Sequence, residues 1–207
     1  MKDNNINTKK ISQKVLKIQK FLKNLLTTAN ANGFVVGLSG GIDSAVTAAL
    51  ARAISKNILA IIMPCNSIKQ DAVDAIEFAK KFKIKYEIVD LTKVFNQFIK
   101  ILPPANSLAV ANIKPRLRMI TLYYFAAKNN YLVLGTGNKT EIEVGYFTKY
   151  GDSGVDALPL ADCYKFEVYE IARYLKINQA IIDKPPSAGL WQGQTDEAEM
   201  GITYKEL

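Results

Sequence analysis

Residues 34–45 read FVVGLSGGIDSA. A short apolar run that ends in a glycine pair has the pattern of a buried parallel strand, and the alanine-rich segment behind it has the pattern of a helix. This strand–turn–helix order decides the fold, because it opens a βα unit. Gly40 and Gly41 permit backbone angles and close approaches that a Cβ would forbid. With a helix beginning near Asp43, unpaired N–H groups point outward from its N-terminus and make an anion site, to which Ser39 and Ser44 add hydroxyl donors. Asp43 is the odd member. A carboxylate beside a phosphate site is repulsive unless a cation bridges the two, so the loop asks for magnesium. The plainer alternative is a Gly-Gly turn with Asp43 or Ser39 as an N-cap. Six residues of matching type in this context favour phosphate.

Outward from this stretch the pattern alternates. Strands are expected at 34–38, 58–63, 85–89 and 131–134. Helices are expected up to residue 54, over 69–82, up to 100, over 115–128 and over 166–175, with a short last helix near the end. Residues 102–112, which include Pro103 and Pro104, read as loop. Alternating strands and helices mean βαβ units: an α/β fold, a doubly wound open parallel sheet with helices on both faces. Ligands in such sheets sit beyond the carboxyl ends of the strands. Loops 39–44, 64–70 and 135–152 should therefore converge on one site. The 207 residues are expected to form one domain, with residues 1–30 as an N-terminal helix.

Charge and composition narrow the function. The formal net charge is +8, but seven lysines and one aspartate lie in residues 1–23. There Ile11, Val15, Ile18, Leu22 and Leu25 recur at helical spacing, while Lys10, Lys14, Lys17 and Lys23 fall on other faces. Only four of the 27 basic residues are arginines, whereas base recognition leans on arginine. The excess therefore reads as a solvated helix face, with no nucleic-acid partner. No apolar run is long enough to span a bilayer, and the first ten residues lack the apolar core of a secretory signal. Cys65 and Cys163 have no paired spacing, which fits a reducing cytoplasm better than a disulfide framework or zinc site. There is no histidine, so any metal would be bound through oxygen.

Two further stretches carry chemistry. In NIKPRLRMI, residues 112–120, Pro115 reads as the first residue of a helix. Arg116 and Arg118 would then lie in the first turn, where the dipole disfavours cations, and two bidentate donors there point to phosphate or carboxylate. GTGNKTEIEVGYFTKYGD, residues 135–152, begins at a strand end and concentrates Thr136, Lys139, Glu141, Glu143, Lys149 and Asp152. A polar segment of this length inside a compact domain is functional or disordered, and its Ile142, Val144, Tyr146 and Phe147 argue against disorder.

SGGIDS resembles the signature of the N-type ATP pyrophosphatases, which hold the pyrophosphate of ATP in this loop. That superfamily includes GMP synthetases, asparagine synthetases and tRNA-modifying thiolases. The combination with Met63-Pro64, Gln70-Asp71-Ala72, NIKPRLRMI, GTGNKTE, GYFTKYGD, LPLAD followed by Tyr164-Lys165, and PPSAGLWQGQTDE is similar to the ammonia-dependent NAD synthetases. The likeness covers nearly everything after residue 33.

The resemblance implies a ligase of the adenine-nucleotide pyrophosphatase fold type. The nicotinate carboxylate of deamido-NAD attacks the α-phosphorus of ATP, and ammonia then displaces AMP to give NAD. By position, Ser39, Gly40, Gly41 and Ser44 would bind ATP together with Thr136, Lys165 and Ser187. Asp43, itself in the ATP loop, and Glu141 would hold Mg2+. Asn112, Arg116, Lys149 and Asp152 would contact deamido-NAD. Asp152, with Lys149 beside it, would strip the proton from ammonium; an ion pair between the two is the structural alternative. Trp191 and its glycines would belong to a loop that closes over ligand. A homodimer in the cytoplasm with no membrane partner is implied, and free ammonia is the implied nitrogen source because no glutaminase domain is seen. The sequence departs from the family in two places. Ile61-Ile62-Met63 replaces a pattern with arginine before the strand-end proline, and the chain ends at GITYKEL where the family pattern continues. A tRNA-modifying pyrophosphatase is the rival enzyme, favoured by the charge and opposed by the missing cysteine pair. A non-catalytic nucleotide-binding module is opposed by the pairing of Asp43 with Glu141.

Overall fold

The computed structural model describes residues 2–191 and 193–204. The most apolar run of the chain becomes the centre of the sheet. β1 (Gly33–Gly37) pairs on one side with β2 (Ile58–Ile62), which pairs in turn with β3 (Lys85–Ile88). On its other side β1 pairs with β4 (Tyr131–Leu134), giving the order β3-β2-β1-β4 with every pair parallel. The register aligns Val35 with Leu59 and with Val133. The chain winds outward from β1 to β3 and then crosses back to β4. The winding direction therefore reverses between β1 and β4, the place where open parallel sheets leave a crevice for ligands.

In chain order the helices are α1 (Lys2–Thr28), α2 (Ile42–Ile54), α3 (Lys69–Lys81), α4 (Thr92–Lys100), α5 (Ser107–Ala111), α6 (Ile113–Asn129), α7 (Lys139–Val144), α8 (Lys165–Tyr174), α9 (Gln179–Ile182) and α10 (Asp196–Met200). Strand alternation divides the core in two. Phe34, Val36, Ile58 and Ala60 pack with the alanines of α2, with Phe78 of α3, with Val168 and Ile171 of α8, and with Ile11, Val15, Ile18 and Leu22 of α1. Val35, Ile61 and Val133 face the opposite way, onto Phe95 of α4 and Leu122 and Ala126 of α6. Helices cover both faces, as expected for this class. Truncation of the fully buried Leu22 to alanine would cost about 2–5 kcal/mol.

Four expectations are corrected. The lysine face of α1 is not wholly solvated: Lys14 Nζ reaches Glu167 Oε2 at 2.6 Å and the Asp162 carbonyl at 3.0 Å, and Lys17 reaches Asp162 Oδ2 at 3.2 Å. These contacts tie α1 to the start of α8. Residues 102–112 hold a helix, α5, because the Asn106 side chain accepts the Ala109 N–H at 2.8 Å and caps it. α6 starts at Ile113, so Pro115 is its third residue, tolerated there because the first-turn N–H groups have no intrahelical partner anyway. Arg118 consequently moves into the second turn. Finally, residues 139–144, for which no regular structure was expected, form α7, closed by a capping box between Asn138 and Glu141.

Candidate active site

The loop after β1 is built by its own serines. Ser44 is buried; its hydroxyl donates to the Gly41 carbonyl at 2.9 Å and accepts the Ser39 N–H at 3.2 Å. The Ser39 hydroxyl accepts the Gly41 N–H at 3.2 Å and lies 3.1 Å from Ser44 Oγ. Gly41 is the N-cap residue of α2, and no side chain caps it. The N-cap reading of Asp43 or Ser39 therefore fails, and Asp43 is the second residue of the helix. Gly40 has φ +81° and lies so close to α3 that a Cβ on it would stand 2.3 Å from the Asp71 carbonyl oxygen.

From this helix Asp43 reaches across the switch point. The Asn138 side-chain amide donates to Asp43 Oδ1 at 3.0 Å, joining the loop after β1 to the loop after β4. Lys165 Nζ, the ammonium of the first residue of α8, lies 2.6 Å from Asp43 Oδ2 and 3.3 Å from Glu141 Oε1. The Lys165 side chain is 2% exposed, against 19% for Asp43 and 16% for Glu141. Burial alone would lower the Lys165 pKa, but the charges of Asp43 and Glu141 outweigh it and hold the group above the ordinary lysine value. Burial, and then the charge of Asp43, push the Glu141 carboxyl upward against the pull of Lys165. Two converging carboxylates whose repulsion is relieved by one cation form an oxygen donor set that suits Mg2+, an ion that uses one or two protein carboxylates and completes its shell with phosphate and water. Among the described residues no group of three or more carboxylate or thiol ligands forms a closed metal cage.

The residues assigned to the dinucleotide gather around Thr148 and Lys149. Arg116 Nη2 and Nε donate to the Lys149 carbonyl at 3.1 and 3.3 Å, and its Nη1 donates to the Asn112 carbonyl at 3.3 Å. The Thr148 hydroxyl donates to Asn112 Oδ1 at 3.0 Å, and the Thr148 N–H donates to Asp152 Oδ1 at 2.8 Å. Asp152 thus binds the backbone of Thr148, while the Lys149 ammonium lies 5.4 Å from the centroid of the Tyr150 ring. Asp152 is exposed as a residue, yet the protein packed around its carboxyl excludes enough water to push the pKa upward against the hydrogen bonds of Thr148. A cavity of about 160 Å³ is lined by both Glu141 and Asp152, together with Gly137, Ile142, Tyr146 and Phe147. One carboxylate from each group, Glu141 and Asp152, therefore lines the same space.

Residues 184–191 are anchored on α3 at one end and on α6 at the other. Lys184 pairs with Asp71 at 3.0 Å and with Asp74. The buried Lys114, whose ammonium lies 5.3 Å from the Phe95 ring centroid, donates to the Leu190 carbonyl at 2.5 Å. The Asp196 N–H closes the segment onto the Pro186 carbonyl at 3.0 Å. Ser187 is exposed between these anchors, and its hydroxyl accepts the Gly189 N–H at 3.1 Å. Thr136 is half-buried at the end of β4, and Trp191 is partly exposed. Sequence reasoning missed Asn138, Asp196 and Tyr204. The spacing of Asn138 and Glu141 is a capping-box signature visible in NKTE, whereas Tyr204 carries no local signal.

Comparisons with known proteins place the chain in a family. The family model described as NAD synthase matches residues 14–207. The NH3-dependent NAD+ synthetase of Carboxydothermus hydrogenoformans is 52% identical over 201 residues, covering 94% of this chain and 83% of that protein. Among solved structures, an NMN synthetase from Francisella tularensis superposes with a TM-score of 0.92 at 40% identity, covering 95% of this chain and 83% of the other. An NH3-dependent NAD synthetase from Campylobacter jejuni, solved with nitrate, gives 0.81 at 35% identity, covering 84% and 77%. With a family model matched over residues 14–207 and a relative 52% identical across most of both chains, the chain belongs to the NAD synthase family.

Proposed function

We infer that the protein is an ammonia-dependent NAD synthetase, a ligase that joins ammonia to the nicotinate carboxylate of deamido-NAD and splits ATP into AMP and pyrophosphate. The observation that carries this reading is the position of Asp43 and Glu141, on opposite sides of the β1/β4 switch point and bridged by Lys165, in a chain of this family. The chemistry explains the residues. A carboxylate is a poor acceptor for ammonia until adenylation gives it a leaving group, and that step needs fixed positive charge and N–H donors around phosphate more than it needs a nucleophilic side chain. Ser39, Gly40, Gly41 and the open N-terminus of α2 are assigned to the phosphates, with Ser44 bracing the loop and Thr136, Lys165 and Ser187 around it. Asp43 and Glu141 are the residues that would hold Mg2+, which when bound supplies charge neutralisation on the phosphates. Asn112, Arg116 and Lys149 are assigned to deamido-NAD. Asp152, its carboxyl poised upward by burial, accepts the proton released as ammonium becomes the attacking ammonia.

We extend the reading to a cytoplasmic homodimer. The buried free thiols of Cys65 and Cys163 suit a reducing compartment, and no described helix is long and apolar enough to cross a membrane. Exposed Phe98, Ile101, Leu108, Ile120 and Tyr124 on α4, α5 and α6 and their connections supply the apolar surface a second copy would cover.

The Francisella tularensis protein carries the name NMN synthetase, which favours a second reading with the same chemistry on the shorter mononucleotide. The deciding experiment incubates the protein with Mg2+, ATP and ammonium and either deamido-NAD, nicotinate mononucleotide or tRNA, and follows AMP and the amide. A higher kcat/KM for deamido-NAD upholds the first reading, and a higher one for the mononucleotide replaces it with the second. AMP release with tRNA alone would sink both.

A further inference from the structure

Tyr204 lies outside every stretch given a role above and yet meets the Lys165 cluster. Its ring centroid is 4.9 Å from the Lys165 ammonium. Its hydroxyl stands 3.0 Å from Asp196 Oδ2 and 3.4 Å from Glu141 Oε1. Asp196 is buried; its other oxygen lies 3.1 Å from the Tyr146 hydroxyl, whose nearer acceptor is Glu199 Oε2 at 2.7 Å. The Tyr204 backbone is fixed as well, its N–H donating to Glu197 Oε1 at 2.9 Å.

We propose that Tyr204 is a positioning residue for the ATP-binding end of the site, its ring holding the Lys165 ammonium between Asp43 and Glu141 and its hydroxyl locking Asp196 of α10 against the same cluster. A tyrosine that merely filled core space would need one acceptor for its hydroxyl and apolar neighbours for its face. Here the face meets a cation, and the polar groups within reach come from α7, α8 and α10 (Glu141, Lys165 and Asp196). A lysine side chain has four rotatable bonds, and the Tyr204 ring takes up the side of the ammonium that Asp43 and Glu141 leave uncovered. An aromatic face is attracted to it electrostatically, more strongly where water is excluded. One phenol carries one proton. Donated to the nearer Asp196, that proton fixes the ring over Lys165. Through this chain of contacts the C-terminal helix acts on Lys165 without touching the reacting atoms.

This inference rests on the reading of Asp43, Glu141 and Lys165 as the nucleotide end, so its test separates the two. Binding of ATP with Mn2+ is measured by Mn2+ paramagnetic resonance on the full chain, beside steady-state kinetics, for Tyr204→Phe and Tyr204→Leu. Tyr204→Leu is expected to weaken MnATP binding and raise KM for ATP by about tenfold, with KM for the nicotinate substrate within about twofold. Tyr204→Phe, which keeps the ring, should lose no more than about threefold. Asp196→Asn, a near-isosteric change, should fall between the two variants and covers the case in which Tyr204→Leu does not fold. Unchanged MnATP binding in both Tyr204→Leu and Asp196→Asn, with a wild-type protein that makes the amide, overturns the proposal and leaves the function standing. Equal losses for both substrates would reduce Tyr204 to a packing residue. Failure of the wild-type protein to bind MnATP overturns both.

Discussion

Lys165 Nζ lies 2.6 Å from Asp43 Oδ2, joining residues 122 positions apart at the point where the sheet reverses its winding. Glu141 completes the group from the far side. Replacement by Lys165→Met leaves two neighbouring carboxylates without their cation, a class of change that costs about 3–5 kcal/mol, or on the order of 10 °C in melting temperature for a chain of this size. Millimolar MgCl2 is expected to recover part of that loss in the variant and to move the wild-type protein less. Melting curves with and without Mg2+ check this, and coincident curves for the two proteins would remove the pair from the account.

Asp43→Asn tests the same cluster from its other end. The variant keeps the shape of the side chain and an oxygen toward Lys165 or Asn138, so the fold should survive with a melting temperature within a few degrees. Turnover should fall by at least about 100-fold, the scale on which a lost electrostatic contact is felt at a reacting phosphate. Circular dichroism and AMP release, measured on the same preparation, decide it. Undiminished turnover would refute the metal role.

Much of this site is legible in the residues because local chemistry dictates it. The run from Phe34 and the glycines after it force a buried strand and a tight turn, and β4 begins and ends where its apolar residues do. What local pattern does not carry is reach. Lys14 is one lysine in a basic helix until Glu167 of α8 meets it, and Arg118 follows a proline that looks like a helix start but is not one. Asn138 and Glu141 carry the signature of a cap, and the cap is real, but the amide of Asn138 also holds Asp43, a partner 95 positions away. Asp196 and Tyr204 belong to the site only through partners on other elements, so no window of sequence contains the evidence for them.

Gly40 separates backbone demand from chemistry. Its φ of +81° is strained for any side chain, and a Cβ there meets the Asp71 carbonyl at 2.3 Å, so Gly40→Ala must open the gap between the loop and α3. A loss of roughly 2 kcal/mol or more is expected from the conformation and the collision together. KM for ATP should rise because the phosphate loop has moved. Gly41→Ala is the control. Gly41 has φ −92°, and its Cβ would come no closer than 3.3 Å to Ser39 Oγ, so its effect on melting temperature should be distinctly smaller. Equal effects at the two positions would contradict the packing of the loop on α3.

Asp152→Asn should trade activity for stability, and the sign follows from the direction of the pKa shift. Burial raises the carboxyl above its ordinary value, so the folded protein releases this proton at a higher pH than the unfolded chain does. Between the two values the folded state binds more protons, and stability falls as pH rises; above the folded value the ionised carboxylate weighs against the fold in full. Asparagine cannot ionise, and its amide oxygen still accepts the Thr148 N–H. The variant's melting temperature should therefore match the wild type below the unfolded carboxylate value, draw ahead as pH rises, and level off once the wild-type carboxyl is ionised. Turnover should collapse across the same range, with KM for ATP little changed, because the lost group is the one assigned to the proton of ammonium and stands apart from the phosphates. Paired melting and rate measurements from pH 4 to pH 8 test both halves. A variant that is less stable at pH 8, or one that retains its turnover there, would take Asp152 out of the role of base.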